Sequence, residues 1–133
     1  MNRNRPQLRP PRMLGVGRFF GVPIYFAPSW LIIAVLLTVY YEPVVFNAVP
    51  TASASSAYLV ASLYAVLFAL CVLAHELGHT AVALLLHLPV RRVVIFLLGG
   101  VSEIERDPDR PRDEFLVAAA GPLVSLLLAG AAA

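Results

Sequence analysis

The chain has 133 residues, of which 59% are hydrophobic and 14% are charged. A soluble domain is typically about half apolar or less, so this excess indicates that lipid solvates much of the chain. The net charge of +2 is small, and the ten basic residues, all of them arginine, flank apolar stretches. A nucleic-acid-binding face would spread its basic residues along a soluble surface, so no nucleic-acid partner is expected.

Three stretches are long and apolar enough to cross a bilayer, which takes about 20 apolar residues. Residues 1–18 before them are basic and rich in proline, and we predict that they form a mostly disordered cytosolic tail. The spans are predicted at about residues 28–49, 56–88 and 115–133. We therefore expect an all-α polytopic membrane protein, in which residues 19–133 form the N-terminal part of a membrane-embedded domain.

The loop after the first span contains Ala52-Ser53-Ala54, which has the A-x-A form of a signal-peptidase site. The apolar stretch before it is too long for a signal peptide, and the site lies well beyond the end of that stretch. We therefore predict that the first span is retained.

Residues 90–107, between the second and third spans, are rich in β-branched side chains around Gly99-Gly100. This pattern predicts a short β-hairpin, because Pro89 ends the preceding helix. Residues 107–114 are charged and are predicted to form a surface linker. An exposed strand edge within residues 90–104 could hold an extended peptide by strand addition, and the alternative is a plain connecting hairpin on the membrane.

The arginines also predict the orientation of the chain. They lie in residues 1–18 and 91–112, and none lies in the loop of residues 50–56. A cytosolic N-terminus places all of them on the cytosolic side, as the positive-inside rule requires. We therefore predict a multi-pass protein of the cell (plasma) membrane with a cytosolic N-terminus.

The second span contains His75-Glu76-Leu77-Gly78-His79, which fits the pattern H-E-x-x-H. On a helix, His75 and His79 point to one side and can bind one zinc ion through nitrogen. Glu76 lies beside such an ion and suits the general base that takes a proton from water. The pattern occurs by chance in soluble proteins, but ionisable side chains inside a span are costly and usually functional. We therefore predict Zn²⁺ bound by His75 and His79, with Glu76 as the catalytic residue.

Other residues near this motif have simpler explanations. Cys71 lies one turn before it, and we assign this cysteine to packing because thiolate ligands in a span are rarer than small buried side chains. His87 is predicted to lie at the membrane interface. Leu85 stands where a metzincin has its third histidine, which excludes that class. A membrane-anchored gluzincin with Glu103 or Glu105 as third ligand is an alternative, although it needs the helix outside the bilayer.

With HELGH inside a membrane helix, the chain resembles the site-2 protease family of intramembrane zinc metalloproteases, peptidase family M50. The sequence FLLGGV at 96–101 is similar to the glycine-containing strand loop that follows the zinc helix in bacterial members. The sequence AGPLVS at 120–125 is similar to their A-G-P-x-x-N element. The resemblance covers about residues 14–133, and residues 96–115 are most similar to the subgroup that carries C-terminal CBS domains.

The resemblance implies a zinc metalloendopeptidase that hydrolyses peptide bonds of transmembrane substrate proteins, such as anti-sigma factors, in regulated intramembrane proteolysis. It implies a third zinc ligand, an aspartate in a later span, which the aspartates of the 107–114 linker do not match. It also implies substrate-binding roles for Gly99, Gly100 and Ser125, where Ser125 stands in place of an asparagine thought to steady the oxyanion or the substrate backbone. The alternative is a catalytically inactive membrane adaptor or fragment that binds membrane-protein clients.

Overall fold

A computed structural model describes residues 12–133. Three of its helices are long and apolar enough to cross a membrane, and each exposes many large apolar side chains, as expected for helices that face lipid. The three predicted spans are therefore confirmed as membrane-compatible helices. The elements in chain order are β1 (Leu14–Phe19), β2 (Val22–Phe26), α1 (Trp30–Ala48), α2 (Ala54–Leu85), β3 (Val90–Phe96), β4 (Gly99–Ile104) and α3 (Pro111–Ala131).

The ends of the helices follow local capping chemistry. The Ser53 hydroxyl accepts the Ser56 backbone N–H at 3.2 Å at the start of α2, which satisfies one of the free donors of the first turn. Pro111 occupies the first turn of α3, followed by acidic residues that suit the positive end of a helix. Helix α3 therefore begins four residues before the span predicted at 115 and includes part of the predicted linker.

The strands form one four-stranded sheet in the order β1-β2-β3-β4. Strands β1 and β2 are antiparallel, β2 is parallel to β3, and β3 is antiparallel to β4. The hairpin predicted between the second and third spans is therefore confirmed. Its turn is formed by residues 97–98, and Gly99 begins β4 with a φ of +136°.

The all-α assignment is wrong, because β1 and β2 precede α1 and complete a sheet with the later hairpin. Residues 14–18, which we assigned to the tail, belong to β1, while residues 1–11 of that tail lie outside the described residues. Phe20 and Gly21 connect β1 to β2 with φ of +46° and +82°, as in a tight hairpin turn. A bulky residue such as Phe20 rarely adopts positive φ, so the sequence gives little sign of this turn.

Helix α2 contacts different neighbours along its two halves. Its first half packs against α1 through buried alanines at four-residue intervals, which let two helices approach closely. Helix α1 begins at Trp30, which stacks on Phe68 with ring centroids 5.9 Å apart. Beyond that level α2 contacts β3, β4 and α3 instead. The predicted metal motif therefore lies between the sheet and α3. The buried cluster where the sheet meets α2 comprises Val22, Ile24, Trp30, Ala69, Val93 and Ile95.

Candidate metal centre and adjoining groove

His75 and His79 lie one turn apart on α2 and turn their rings toward each other. Their Nε2 atoms are 3.2 Å apart. Two nitrogens that each bind a tetrahedral zinc ion at 2.0–2.1 Å are about 3.3–3.4 Å apart. Together with a Glu76 carboxylate oxygen, the possible donor atoms lie within 4.8 Å of one another. The spacing therefore fits a single zinc ion.

The other ring nitrogens of both histidines are held by α3. His79 Nδ1 lies 2.7 Å from the carbonyl oxygen of Val117, and His75 Nδ1 lies 2.9 Å from Ser125 Oγ. A carbonyl oxygen only accepts hydrogen bonds, so His79 carries its proton on Nδ1 and leaves the Nε2 lone pair free. Such partners fix the tautomer and ring orientation of histidines that bind metals. The sequence reasoning missed Val117, since a main-chain carbonyl has no signature in the sequence.

Glycines allow α3 to approach the histidines closely. A Cβ atom on Gly121 would lie 2.3 Å from His79 Nε2 and 2.7 Å from His75 Nε2. A Cβ atom on Gly78 would lie 2.9 Å from the carbonyl oxygen of Ala120. Gly78 of α2 therefore faces α3, and Gly121 of α3 faces α2. Ser125 lies one turn beyond Gly121 on the same side of α3.

Glu76 is buried, with 8% of its surface exposed, against strand β4. Ser102 Oγ donates to Glu76 Oε2 at 3.1 Å. A Cβ atom on Gly100 would lie 2.3 Å from Glu76 Cγ, so only glycine fits there without a shift of the carboxylate side chain. Strand β4 thus holds Glu76 beside the two histidines.

An open groove of about 410 Å³ runs past these residues. It brings together every predicted site residue except His79, because β4 contributes to one wall and α3 to another. Cys71 also lines this groove and is exposed, which differs from the buried position we expected. The lining residues are Phe68, Cys71, Val72, His75, Glu76, Leu98, Gly99, Gly100 and Ser125.

Within residues 12–133, one group of three or more histidine, cysteine, aspartate or glutamate side chains is spaced to hold a metal ion. It consists of His75, Glu76 and His79. Glu103 is not part of it and instead forms a salt bridge with Arg92, whose Nε lies 2.8 Å from a Glu103 carboxylate oxygen; this neighbouring carboxylate raises the pKa of Arg92. Glu105 also lies outside the group. The gluzincin alternative therefore lacks a third ligand among the described residues.

The model of peptidase family M50 matches residues 63–133. A protein of Synechocystis sp., named provisionally as a zinc metalloprotease, is 39% identical over 113 residues, which are 85% of this chain and 30% of that protein. Stage IV sporulation protein FB of Bacillus subtilis is 44% identical over 64 residues, 47% of this chain and 22% of its own length. Rip3 of Mycobacterium tuberculosis, also named provisionally as a zinc metalloprotease, is 39% identical over 64 residues, 48% of this chain and 16% of its own length. The chain therefore spans less than a third of the length of these relatives.

Proposed function

Because this chain belongs to peptidase family M50, we propose that it supplies part of the catalytic centre of an intramembrane zinc metalloprotease. The substrates are transmembrane proteins that it cleaves within or near the bilayer. The observation that carries this proposal is the pair of imidazoles with Nε2 atoms 3.2 Å apart. Each is held through Nδ1 by α3, beside a buried carboxylate. Relatives named as zinc metalloproteases support zinc as the metal.

The residues of this chain divide the chemistry between them. Zinc, when bound, lowers the pKa of water and polarises a carbonyl group. His75 and His79 hold the ion, and their hydrogen bonds to Ser125 and Val117 fix the direction of their lone pairs. A carboxylate oxygen of Glu76 takes the proton of the attacking water and passes it to the leaving amine. In the whole protein, a later span supplies the third ligand, as the resemblance implies.

The substrate segment binds as an added strand on β4. Within residues 12–133, the sheet has two unpaired edge strands, β1 and β4. The substrate-binding edge expected within residues 90–104 is therefore limited to β4. The Ala27 N–H donates to the Ile95 carbonyl, so the peptide groups of Ile95 point toward β2. Ile95 pairs with Gly100, and the peptide groups of Gly100 therefore point away from β3, toward open space.

Ser102 lies two residues farther along β4, so its peptide groups point to the same free edge. An extended peptide that pairs with this edge lies beside Glu76, since the side-chain positions of both edge residues face that carboxylate. Strand addition also solves a chemical problem. A helical substrate hides its peptide groups in its own hydrogen bonds, and pairing with a strand replaces those bonds once the helix unwinds.

The setting we propose is the plasma membrane, with the N-terminus in the cytosol and the groove supplied with water from that side. A substrate that is an anti-sigma factor, and a subgroup with CBS domains, remain predictions from the resemblance. They rest on no residue of the groove.

The roles within HELGH can be separated in a complete protein that contains this segment. We expect His75→Ala and His79→Ala to lose both zinc and cleavage, because each removes a ligand. Glu76→Gln should keep about one zinc per chain, while turnover falls by at least about 10²-fold, the lower range for loss of general acid–base help. The measurements are elemental analysis and cleavage of a model membrane substrate.

His87→Asn is the matched control, because His87 is exposed at the end of α2 with a φ of +59°, a conformation that asparagine tolerates. It should change neither zinc content nor cleavage. A Glu76→Gln protein that cuts at the parental rate would refute the general-base role. A parent that purifies without zinc under mild conditions would favour the inactive adaptor.

A further inference from the structure

We propose that Ser102 is a positioning residue for the catalytic base Glu76, an inference that rests on the proposed function. Ser102 lies on the edge strand β4 and turns its hydroxyl toward α2. Its Oγ lies 3.1 Å from Glu76 Oε2 and 3.1 Å from Thr80 Oγ1. Thr80 is completely buried. Among the residues that the structure describes, Ser102 is the one side chain that donates to the Glu76 carboxylate.

The protons in this cluster can be assigned by counting donors and acceptors. Thr80 has one hydroxyl proton, and its Oγ1 lies 3.0 Å from the Glu76 carbonyl oxygen, to which it donates. Ser102 also has one proton, and the Glu76 carboxylate, when ionised, can only accept. A hydrogen bond to a charged acceptor is roughly twice as strong as one between neutral groups. The Ser102 hydroxyl also lies 3.2 Å from the neutral Glu76 carbonyl oxygen, but its proton is directed mainly to the charged Glu76 Oε2 rather than to that carbonyl or to Thr80.

This contact holds the carboxylate from strand β4, and Gly100, on the same face of that strand, packs against the same side chain. No side chain fits between Gly100 and Glu76, since a Cβ atom there would lie 2.3 Å from Cγ. With Oε2 held by Ser102, a carboxylate oxygen of Glu76 lies within 4.8 Å of the histidine nitrogens that could bind a metal ion. The base therefore starts each reaction in one orientation. Because Ser102 also belongs to the free edge of β4, the residue that orients the base lies in the strand that pairs with substrate.

The test compares Ser102→Thr with Ser102→Val in the full-length protein. Threonine and valine have nearly the same shape, but valine has a methyl group in place of the hydroxyl. Loss of a partner that orients an active-site group typically costs about 10–100-fold. We expect Ser102→Val and Ser102→Ala to lower kcat by about that factor, with KM changed by less than about threefold and zinc content equal to that of the parent. Ser102→Thr should restore kcat to within about threefold of the parent.

A second readout is independent of activity. In a Cys71→Ala background, the pair Thr80→Cys and Ser102→Cys should form a disulfide on mild oxidation, because the two hydroxyl oxygens are 3.1 Å apart. The matched pair Thr80→Cys and Val101→Cys should not, because neighbouring residues of a strand point to opposite faces. Failure of the first pair to cross-link would overturn the inference.

The outcomes separate this inference from the proposed function. If Glu76→Gln abolishes cleavage and Ser102→Ala cleaves as fast as the parent, the protease proposal stands and the role of Ser102 is wrong. If Ser102→Thr and Ser102→Val lose kcat equally, the hydroxyl is not the cause and the inference is also wrong. Ser62→Ala is the control and should change nothing, because among the described residues the Ser62 hydroxyl bonds its own helix alone, at the Tyr58 carbonyl.

Discussion

Gly121 marks the closest approach of α3 to the two histidines, and its missing side chain leaves room for the metal. The space that a Cβ atom would take is bounded by His79 Nε2 and His75 Nε2, the two atoms we propose as ligands. An alanine there would displace the imidazoles or occupy the position of the ion. The hydrogen bonds from the rings to α3 resist such a displacement.

We therefore predict that Gly121→Ala loses zinc while the protein still folds into the membrane. Overpacking costs about 1–3 kcal/mol, which corresponds to a loss of zinc affinity of about 5- to 150-fold. Competition with a chelator, followed by elemental analysis, measures this loss. Gly130→Ala on the same helix is the control, since nothing lies within 4 Å of a Cβ atom there, and it should be neutral or stabilise the helix by up to about 1 kcal/mol. Parental zinc affinity in Gly121→Ala would show that the ion binds elsewhere.

The sequence predicted the site residues that lie close together along the chain, within one helix. His75 and His79 share a side because four residues make about one turn of a helix, and Glu76 follows from the same motif. Their partners could not be predicted in this way. Val117 acts through a main-chain carbonyl, and Ser125 and Ser102 lie on other elements that pack against α2. The similarity of AGPLVS to the A-G-P-x-x-N element of the family pointed to Ser125. The contact between the Ser125 hydroxyl and His75 depends on how α3 packs against α2, which the sequence does not show.

At the scale of elements, the helices were predictable and half of the sheet was not. Long apolar stretches identify α1, α2 and α3 by their length alone, and the β-branched run after Pro89 identifies β3 and β4. Strand β2 pairs in parallel with β3, so the partners are separated by two membrane helices in the sequence. No periodicity within a single segment reports such a pairing, and the apolar residues of β2 resemble the start of a span.

The two free edges of the sheet give a matched test of substrate binding. Val101 on β4 and Val16 on β1 are both exposed, by 45% and 60%, and both belong to edge strands, but β4 borders the groove. A photoreactive amino acid at Val101 should cross-link a bound membrane substrate, and the same amino acid at Val16 should not. Glu76→Gln would serve as the parent, because it keeps the substrate uncut. Equal cross-linking at both positions, or none at Val101, would favour the plain connecting hairpin.

At the scale of the whole molecule, α2 is the central element: it contacts α1, α3, β3 and β4, while β1 and β2 extend the sheet beyond β3. Phe68 and Tyr64 in the first half of α2 stack on aromatic side chains of α1, and Glu76 and His79 in its second half bond to β4 and α3. Trp30, the first residue of α1, stacks on Phe68 of α2. His75 lies seven residues after Phe68, about 10 Å farther along the axis of α2. The HELGH motif therefore lies against strand β4 on one side and helix α3 on the other.

The orientation of this arrangement in the membrane depends on the arginines, and it can be tested by labelling on intact cells. Thr51 lies in the loop between α1 and α2, and Asp107 lies between β4 and α3; both are exposed. In a Cys71→Ala background, an impermeant maleimide should label Thr51→Cys on intact cells and Asp107→Cys only after permeabilisation. These substitutions leave all ten arginines in place, and with them the charge asymmetry that sets orientation. They also spare Ser53, whose hydroxyl caps α2. The reverse labelling pattern would place the groove on the exterior side, and water for hydrolysis would then enter from outside the cell.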